Sequence, residues 1–220
     1  MMRGLYAILD LDTLEARHIT PLDFAAEILS VRPAALQLRA KDRPPRETLA
    51  LLRALRPLCR RAGVPLVCND RPDLAVLAAC DMVHLGQSDA PIGLVRGLSP
   101  GLRIGVSTHD LDQLARALEA RPAYVAYGPV FPTRTKRNPD HVVGLEGLRA
   151  ASELARRTAT PLVAIGGITL ETARDVACWA DCAAVIAGVF EQGRTLRAQS
   201  AALHTLLGGA EAESVPAGSG

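Results

Sequence analysis

Eight short apolar runs punctuate the chain: Leu5–Leu9, Ala34–Leu38, Pro65–Cys68, Met82–Leu85, Leu102–Val106, Ala123–Ala126, Leu162–Ile165 and Ala183–Ile186. Each has the length of a strand buried on both faces, where the alternation of apolar and polar positions is lost. The stretches between them carry helical spacing. Across Arg46–Arg61, Leu49, Leu52, Leu55 and Leu58 recur at three-residue steps among Arg and Glu. Across Asp110–Ala120, Leu111, Leu114 and Leu118 share one face behind a capping Asp110, and Gly144–Arg157 and Leu170–Ala177 read similarly. Parallel strands need such crossovers. Strand and helix alternating eight times in a chain of this length predict an α/β fold, a single (β/α)8 TIM barrel, with an open doubly wound sheet as the structural alternative. The barrel is expected over residues 1–207, followed by a frayed tail over Gly208–Gly220 that is rich in Gly, Ala, Ser and Glu. One connection, Gly128–Val143, is long and carries the basic residues Arg134, Lys136, Arg137 and His141. Its length marks it as a functional loop, here a candidate lid.

Composition narrows the classes of function. Apolar residues make up 49% of the 220, enough for one sizeable core, while aromatics are only 3%. Stacking platforms for single-stranded nucleic acid need more rings than this, and a net charge of +2 advertises neither nucleic acid nor an acidic membrane. No run approaches the ~18 apolar residues of a membrane span, and the start of the chain lacks the long apolar region of a secretory signal. The five cysteines, Cys59, Cys68, Cys80, Cys178 and Cys182, are odd in number and show no zinc-type spacing, so a reducing cytoplasm is expected. The partners expected are therefore small molecules; a homo-oligomer is allowed, and the sequence does not choose.

In a barrel of this kind active sites lie at the carboxyl ends of the strands. There the chain places Gln37, Arg39 and Lys41 after the second run, Asn69 and Asp70 after the third, and His84, Gln87 and Asp89 around the fourth. Ser107 and His109 end the fifth; Thr133, Thr135 and Lys136 follow the sixth; Gly166-Gly167 and Ile186-Ala187 end the seventh and eighth. Polar residues thus collect at one end of nearly every strand. Gln37, Arg39 and Lys41 alternate onto one face, where one amide and two cations suit a diphosphate. A solvated strand end is the plainer reading of that triplet. Asp70 and Asp89 could together hold Mg²⁺, or each could cap the helix that follows at Pro72 or Pro91. Thr133, Thr135 and Lys136 suit a phosphate or form a flexible basic loop. Gly167 lets a backbone approach a phosphate closely, or serves a tight turn. His84 and His109 fit packed, hydrogen-bonded side chains better than catalysts, and no Cys–His partnership suggests a nucleophilic thiol.

Taken in order, QLRxK, ND, HLGQxD, GVSTH, GPVFPTxTK and AIGGI resemble the thiamine phosphate synthase family over roughly Leu5–Leu207. The resemblance implies a condensation of hydroxymethylpyrimidine diphosphate with a thiazole phosphate, releasing pyrophosphate, with Mg²⁺ as cofactor. It implies that Gln37, Arg39, Lys41, Asn69, Ser107 and Lys136 contact the pyrimidine diphosphate. It assigns Asp70 and Asp89 to Mg²⁺, and Thr133, Thr135, Gly167, Ile186 and Ala187 to the thiazole phosphate. Two positions depart from the family: Ala40 stands where Glu is usual, and Ala187 where Ser is frequent. The alternatives are a thiazole tautomerase, with His109 as a candidate base, and a non-catalytic barrel that binds a thiazole or thiamine phosphate.

Overall fold

A computed structural model describes residues 2–133 and 141–210. It is a closed barrel of eight parallel strands in sequential order. The elements run β1 (Gly4–Asp10), α1 (Leu11–Glu15), α2 (Pro21–Leu29), β2 (Ala35–Arg39), α3 (Pro45–Ala62), β3 (Leu66–Asn69), α4 (Pro72–Leu77), β4 (Met82–Leu85), α5 (Ile92–Leu98), β5 (Arg103–Thr108), α6 (Leu111–Glu119), β6 (Tyr124–Tyr127), α7 (Gly144–Arg157), β7 (Leu162–Ile165), α8 (Ala173–Ala177), β8 (Cys182–Val185) and α9 (Leu196–Leu206). β1 closes the ring by pairing with β2 on one side and β8 on the other. The open-sheet alternative is thereby set aside.

Burial on both faces explains the strand composition. One set of side chains points inward and fills the barrel, among them Tyr6, Ile8, Val67, Met82, Tyr124 and Val163. The alternate set, such as Leu5, Leu36, Leu66, Val83 and Val125, packs outward against the helices. The helices follow their capping chemistry. Asp110 caps α6 by accepting the Gln113 N–H at 2.7 Å, and Gly63 ends α3 in the left-handed conformation that a terminating glycine adopts most readily. On α3 the buried stripe is Thr48, Leu52, Leu55 and Cys59, with Leu49 and Leu58 flanking it half-buried. That is the 3.6-residue period drifting away from a strict three-residue step. On α6, Leu114, Ala117 and Leu118 are buried whereas Leu111 is 38% exposed. Leu111 is the first helical residue and faces out at the rim, so it does not belong to the predicted face. The eighth strand lies one residue earlier than its apolar run, and Ile186 falls just beyond it, leading into a 3-10 turn at Ala187–Val189.

The cysteines behave as small hydrophobes. Cys59, Cys68, Cys80 and Cys182 are buried, and desolvation pushes each thiol up to about 12; Cys178 is exposed. No helix among the described residues is long and apolar enough to cross a membrane.

Candidate active site

The carboxyl ends of the strands form one mouth, and two groups of side chains meet there. The first is charged. Asp70 has a positive φ of 62°, a left-handed conformation that Asp tolerates better than most residues. Such strain persists where surrounding contacts fix it; here the Asp70 N–H donates to the His84 carbonyl at 2.8 Å. Its carboxylate lies 3.8 Å from the Lys41 ammonium. Desolvation, reinforced by the facing Asp89 charge and a hydrogen bond with Asp89, pushes Asp70 up to about 6, and Lys41 and Arg39 pull the other way. Asp89 is held by its own loop, accepting the Gly86 N–H at 2.6 Å. Neither aspartate caps a helix. The cap positions of α4 and α5 are Arg71 and Pro91, neither with a side-chain capping hydrogen bond. Pro72 at the start of α4 brings a preset φ and no N–H to satisfy.

Two hard oxygen donors facing one another fit Mg²⁺. The described residues hold no cluster of three or more His, Cys, Asp and Glu groups. A divalent ion here would therefore complete its shell with water and substrate phosphate, as Mg²⁺ commonly does.

Arg39 is not a bare cation. It pairs with Asp10, which is 3% exposed at the end of β1. The other Asp10 oxygen accepts the Thr13 N–H at 2.9 Å and the Thr13 hydroxyl at 2.6 Å, capping α1. Both oxygens of this buried carboxylate are thus satisfied, and Arg39 keeps a fixed orientation with other N–H groups to spare. Asp10 escaped the sequence reading because a capping aspartate after an apolar run is ordinary. The usable signal was its place at a strand end, like Arg39 on the next strand. Asp10→Asn should keep the cap, lower kcat/KM about 10-fold by loosening Arg39, and cost about 1–3 kcal/mol of stability. Steady-state kinetics and denaturant melts check both.

The second group is uncharged and deeper. The Gln37 amide donates to the Asn69 side-chain oxygen at 2.6 Å and accepts from the Tyr6 hydroxyl at 2.7 Å. Tyr6 and Tyr124 hydroxyls lie 2.7 Å apart. The His84 ring meets Tyr124 through Nδ1 at 2.8 Å and the Ser107 hydroxyl through Nε2 at 2.7 Å. His84 also stacks on Tyr124, with ring centroids 5.6 Å apart. Burial pushes His84 down to about 4, so the ring is neutral, and burial pushes both tyrosines up. Gly105 makes room for this row: a Cβ there would lie 2.0 Å from Tyr124 Cζ. His84 is thus the packed, bonded histidine expected. His109 also bonds within the fold, from Nδ1 to the Gly128 carbonyl at 2.7 Å. Tyr6 and Tyr124 went unread because tyrosines within apolar runs look like core.

On the opposite side of the mouth, the loop after β6 is fastened to the end of β7. The Val130 and Phe131 N–H groups donate to the Ile165 and Gly166 carbonyls at 2.9 and 3.1 Å. The start of the loop is thus hydrogen-bonded to the end of β7, and residues 134–140 of the candidate lid lie outside the described residues. Pro132, just before Thr133, sits over Gly167, whose φ is +64°. From behind, the buried Gln199 amide of α9 donates to the Gly188 carbonyl at 3.0 Å, holding the 3-10 turn that begins at Ala187. Gln37, Arg39, Lys41, Asn69, Asp70, Asp89 and Ser107 are thus linked by contacts on one side, with Thr133, Gly167, Ile186 and Ala187 on loops of the other. Thr135 and Lys136 lie outside the described residues. Ala40 packs half-buried against the core.

Comparison with known proteins points one way. A family described as thiamine monophosphate synthase matches residues 5–189. The chain is 43% identical over 198 residues to a thiamine-phosphate synthase of Koribacter versatilis, covering 86% of this chain and 90% of that one. It is 37% identical over 194 residues to a thiamine-phosphate synthase of Methanocella arvoryzae, covering 87% and 89%. Among solved structures, it superposes on a thiamine phosphate pyrophosphorylase from Pyrococcus furiosus with a TM-score of 0.80 and 32% identity, covering 93% and 95% of the two chains.

Proposed function

The chain belongs to the thiamine monophosphate synthase family, and from that membership we propose that it condenses hydroxymethylpyrimidine diphosphate with thiazole phosphate, giving thiamine phosphate and pyrophosphate. The observation that carries the residue assignment is the facing pair Asp70 and Asp89 beside Lys41 and the buttressed Arg39. A tautomerase or a passive phosphate binder has no use for that cluster.

The pyrimidine diphosphate lies with its phosphates on Arg39, Lys41 and Lys136 and its ring against Gln37, Asn69 and Ser107. Breaking the bond between the methylene and the diphosphate oxygen puts charge on the leaving group, and the fixed cations stabilise that charge as it develops. Asp70 and Asp89 would hold Mg²⁺, which when bound would supply Lewis-acid neutralisation of the diphosphate. The cationic methylene is delocalised into the electron-rich aminopyrimidine, so no protein nucleophile is required. The thiazole partner is held by Thr133, Thr135, Gly167 and the Ile186-Ala187 turn, and its ring nitrogen attacks from close range. With Ala187 lacking a hydroxyl, that turn grips phosphate through backbone N–H groups.

The deciding experiment is turnover of the purified protein with both substrates, in Mg²⁺ and in chelator. Thiamine phosphate should form with Mg²⁺ and fall to background with chelator. Binding of thiazole phosphate without product in Mg²⁺ would overturn the synthase assignment.

A further inference from the structure

The uncharged row deep in the mouth has a property that its individual contacts do not reveal. Each hydroxyl in it has one proton, and a neutral imidazole has one donor and one acceptor nitrogen. Once one member is oriented, every other is fixed. Gln37 donates to Asn69 and accepts from Tyr6. Tyr6 has then spent its proton and must accept from Tyr124. Tyr124 in turn must accept from His84, which places the ring proton on Nδ1. His84 Nε2 is left as an acceptor and takes the Ser107 hydroxyl proton. Flipping the Gln37 and Asn69 amides together would reverse all of these bonds. The row therefore has two consistent states, and it spans the barrel from β3 to β5.

We propose that Tyr6, Tyr124 and His84 form a buried positioning relay that fixes hydrogen-bond polarity at both walls of the site, so that it accepts an aminopyrimidine and rejects an oxopyrimidine. In the state described, Ser107 offers only lone pairs toward the mouth. Gln37 retains one amide N–H, and Asn69 retains both of its own. One acceptor facing two donor groups complements an exocyclic amine beside ring nitrogens that accept. A 4-oxo ring presents the reverse, a carbonyl beside a ring N–H, and would leave buried groups unpaired, which is the costly case. Tyr6, Tyr124 and His84 act through Gln37 and Ser107. Gly105 belongs to the device, because any side chain there would strike the Tyr124 ring.

The selectivity part rests on the pyrimidine assignment above; the polarity part does not, and two measurements separate them. The first is the tautomer of His84 in ligand-free protein, read from ¹⁵N shifts of labelled histidine. Nδ1–H is expected, and Tyr124→Phe should release the ring toward Nε2–H by removing its acceptor. An Nε2–H ring in the unaltered protein overturns the polarity. The second is the pair of dissociation constants, by calorimetry, for hydroxymethyl-aminopyrimidine diphosphate and its 4-oxo analogue. Tyr124→Phe should reduce the amino-over-oxo preference by roughly 10- to 100-fold. Tyr127→Phe, which removes a hydroxyl from the outward face of the same strand, should leave the preference unchanged. A preference unaltered in folded Tyr124→Phe overturns the relay. If the unaltered protein binds neither pyrimidine, the functional reading and the selectivity claim fall together, and the tautomer still decides whether the relay exists.

Discussion

Asp70→Asn should produce a protein that is more stable than its parent without Mg²⁺ at neutral pH, yet turns over at least about 1,000-fold more slowly. Both effects have one source. The fold lifts the Asp70 carboxyl from its usual value of 3.8 to about 6, through desolvation and the charge of Asp89. A carboxyl whose folded pKa exceeds its unfolded one favours the fold while it is protonated. That contribution is complete below about pH 4 and is lost as the pH rises through 6. At pH 7.5 the ionised Asp70 is a liability. With a side chain 29% exposed, its cost after solvent screening is about 1–2 kcal/mol. Asn has no charge to desolvate and tolerates the same left-handed backbone, so the substitution isolates the carboxylate. Denaturant melts in chelator should show the variant ahead at pH 7.5 and level with its parent near pH 3.5. Added Mg²⁺ should raise the melting temperature of the parent and leave that of the variant nearly unmoved. Thiazole phosphate affinity should survive, since its proposed site lies on the loops after β6, β7 and β8. Equal stability of the two proteins at pH 7.5 would show that the two carboxylates do not oppose one another as described.

How much of this was legible in the sequence follows from what kinds of signal a sequence carries. The eight strands could be found because parallel strands buried on both faces leave uninterrupted apolar runs. The charged side of the mouth could be found because Gln37, Arg39, Lys41, Asn69, Asp70 and Asp89 interrupt those runs at one end. Short elements were harder. α1 has five residues, too few to show a helical period. The ambiguity of Asp70 and Asp89 between caps and metal ligands turned on which way each carboxylate points, and only the folded loops show that Asp70 faces Asp89 while Asp89 accepts the Gly86 N–H. The relay was hidden for a different reason. Tyr6 and Tyr124 are separated by 118 residues, and their rings read as core until closure of the barrel brings the hydroxyls together. Asp10 likewise becomes meaningful only when β1 pairs with β2 in a register that sets it beside Arg39.

Gly167→Ala carries the other large expected effect, on the thiazole side of the reaction. The residue sits at φ +64°, where a side chain costs ~1–2 kcal/mol on backbone grounds. An added Cβ would also lie 2.6 Å from the Pro132 carbonyl oxygen and 2.7 Å from Phe131 Cβ. Neither neighbour is the end of a flexible chain. Phe131 and Val130 are tied to the end of β7 through their own N–H groups, so residues 130–132 must shift together, taking the adjoining Thr133 with them. The loop therefore cannot yield without moving the proposed phosphate contacts. KM for thiazole phosphate should rise about 100-fold, while KM for the pyrimidine diphosphate, bound on the strand ends opposite, should change less than about 3-fold. Gly97→Ala is the matched control: it lies in α5 with no atom within 4 Å of the new Cβ, and both constants should be unaltered. If Gly167→Ala instead raised both constants equally, the two substrates would share one cradle. The division of the mouth into a charged wall for one phosphate and a backbone wall for the other would then be wrong.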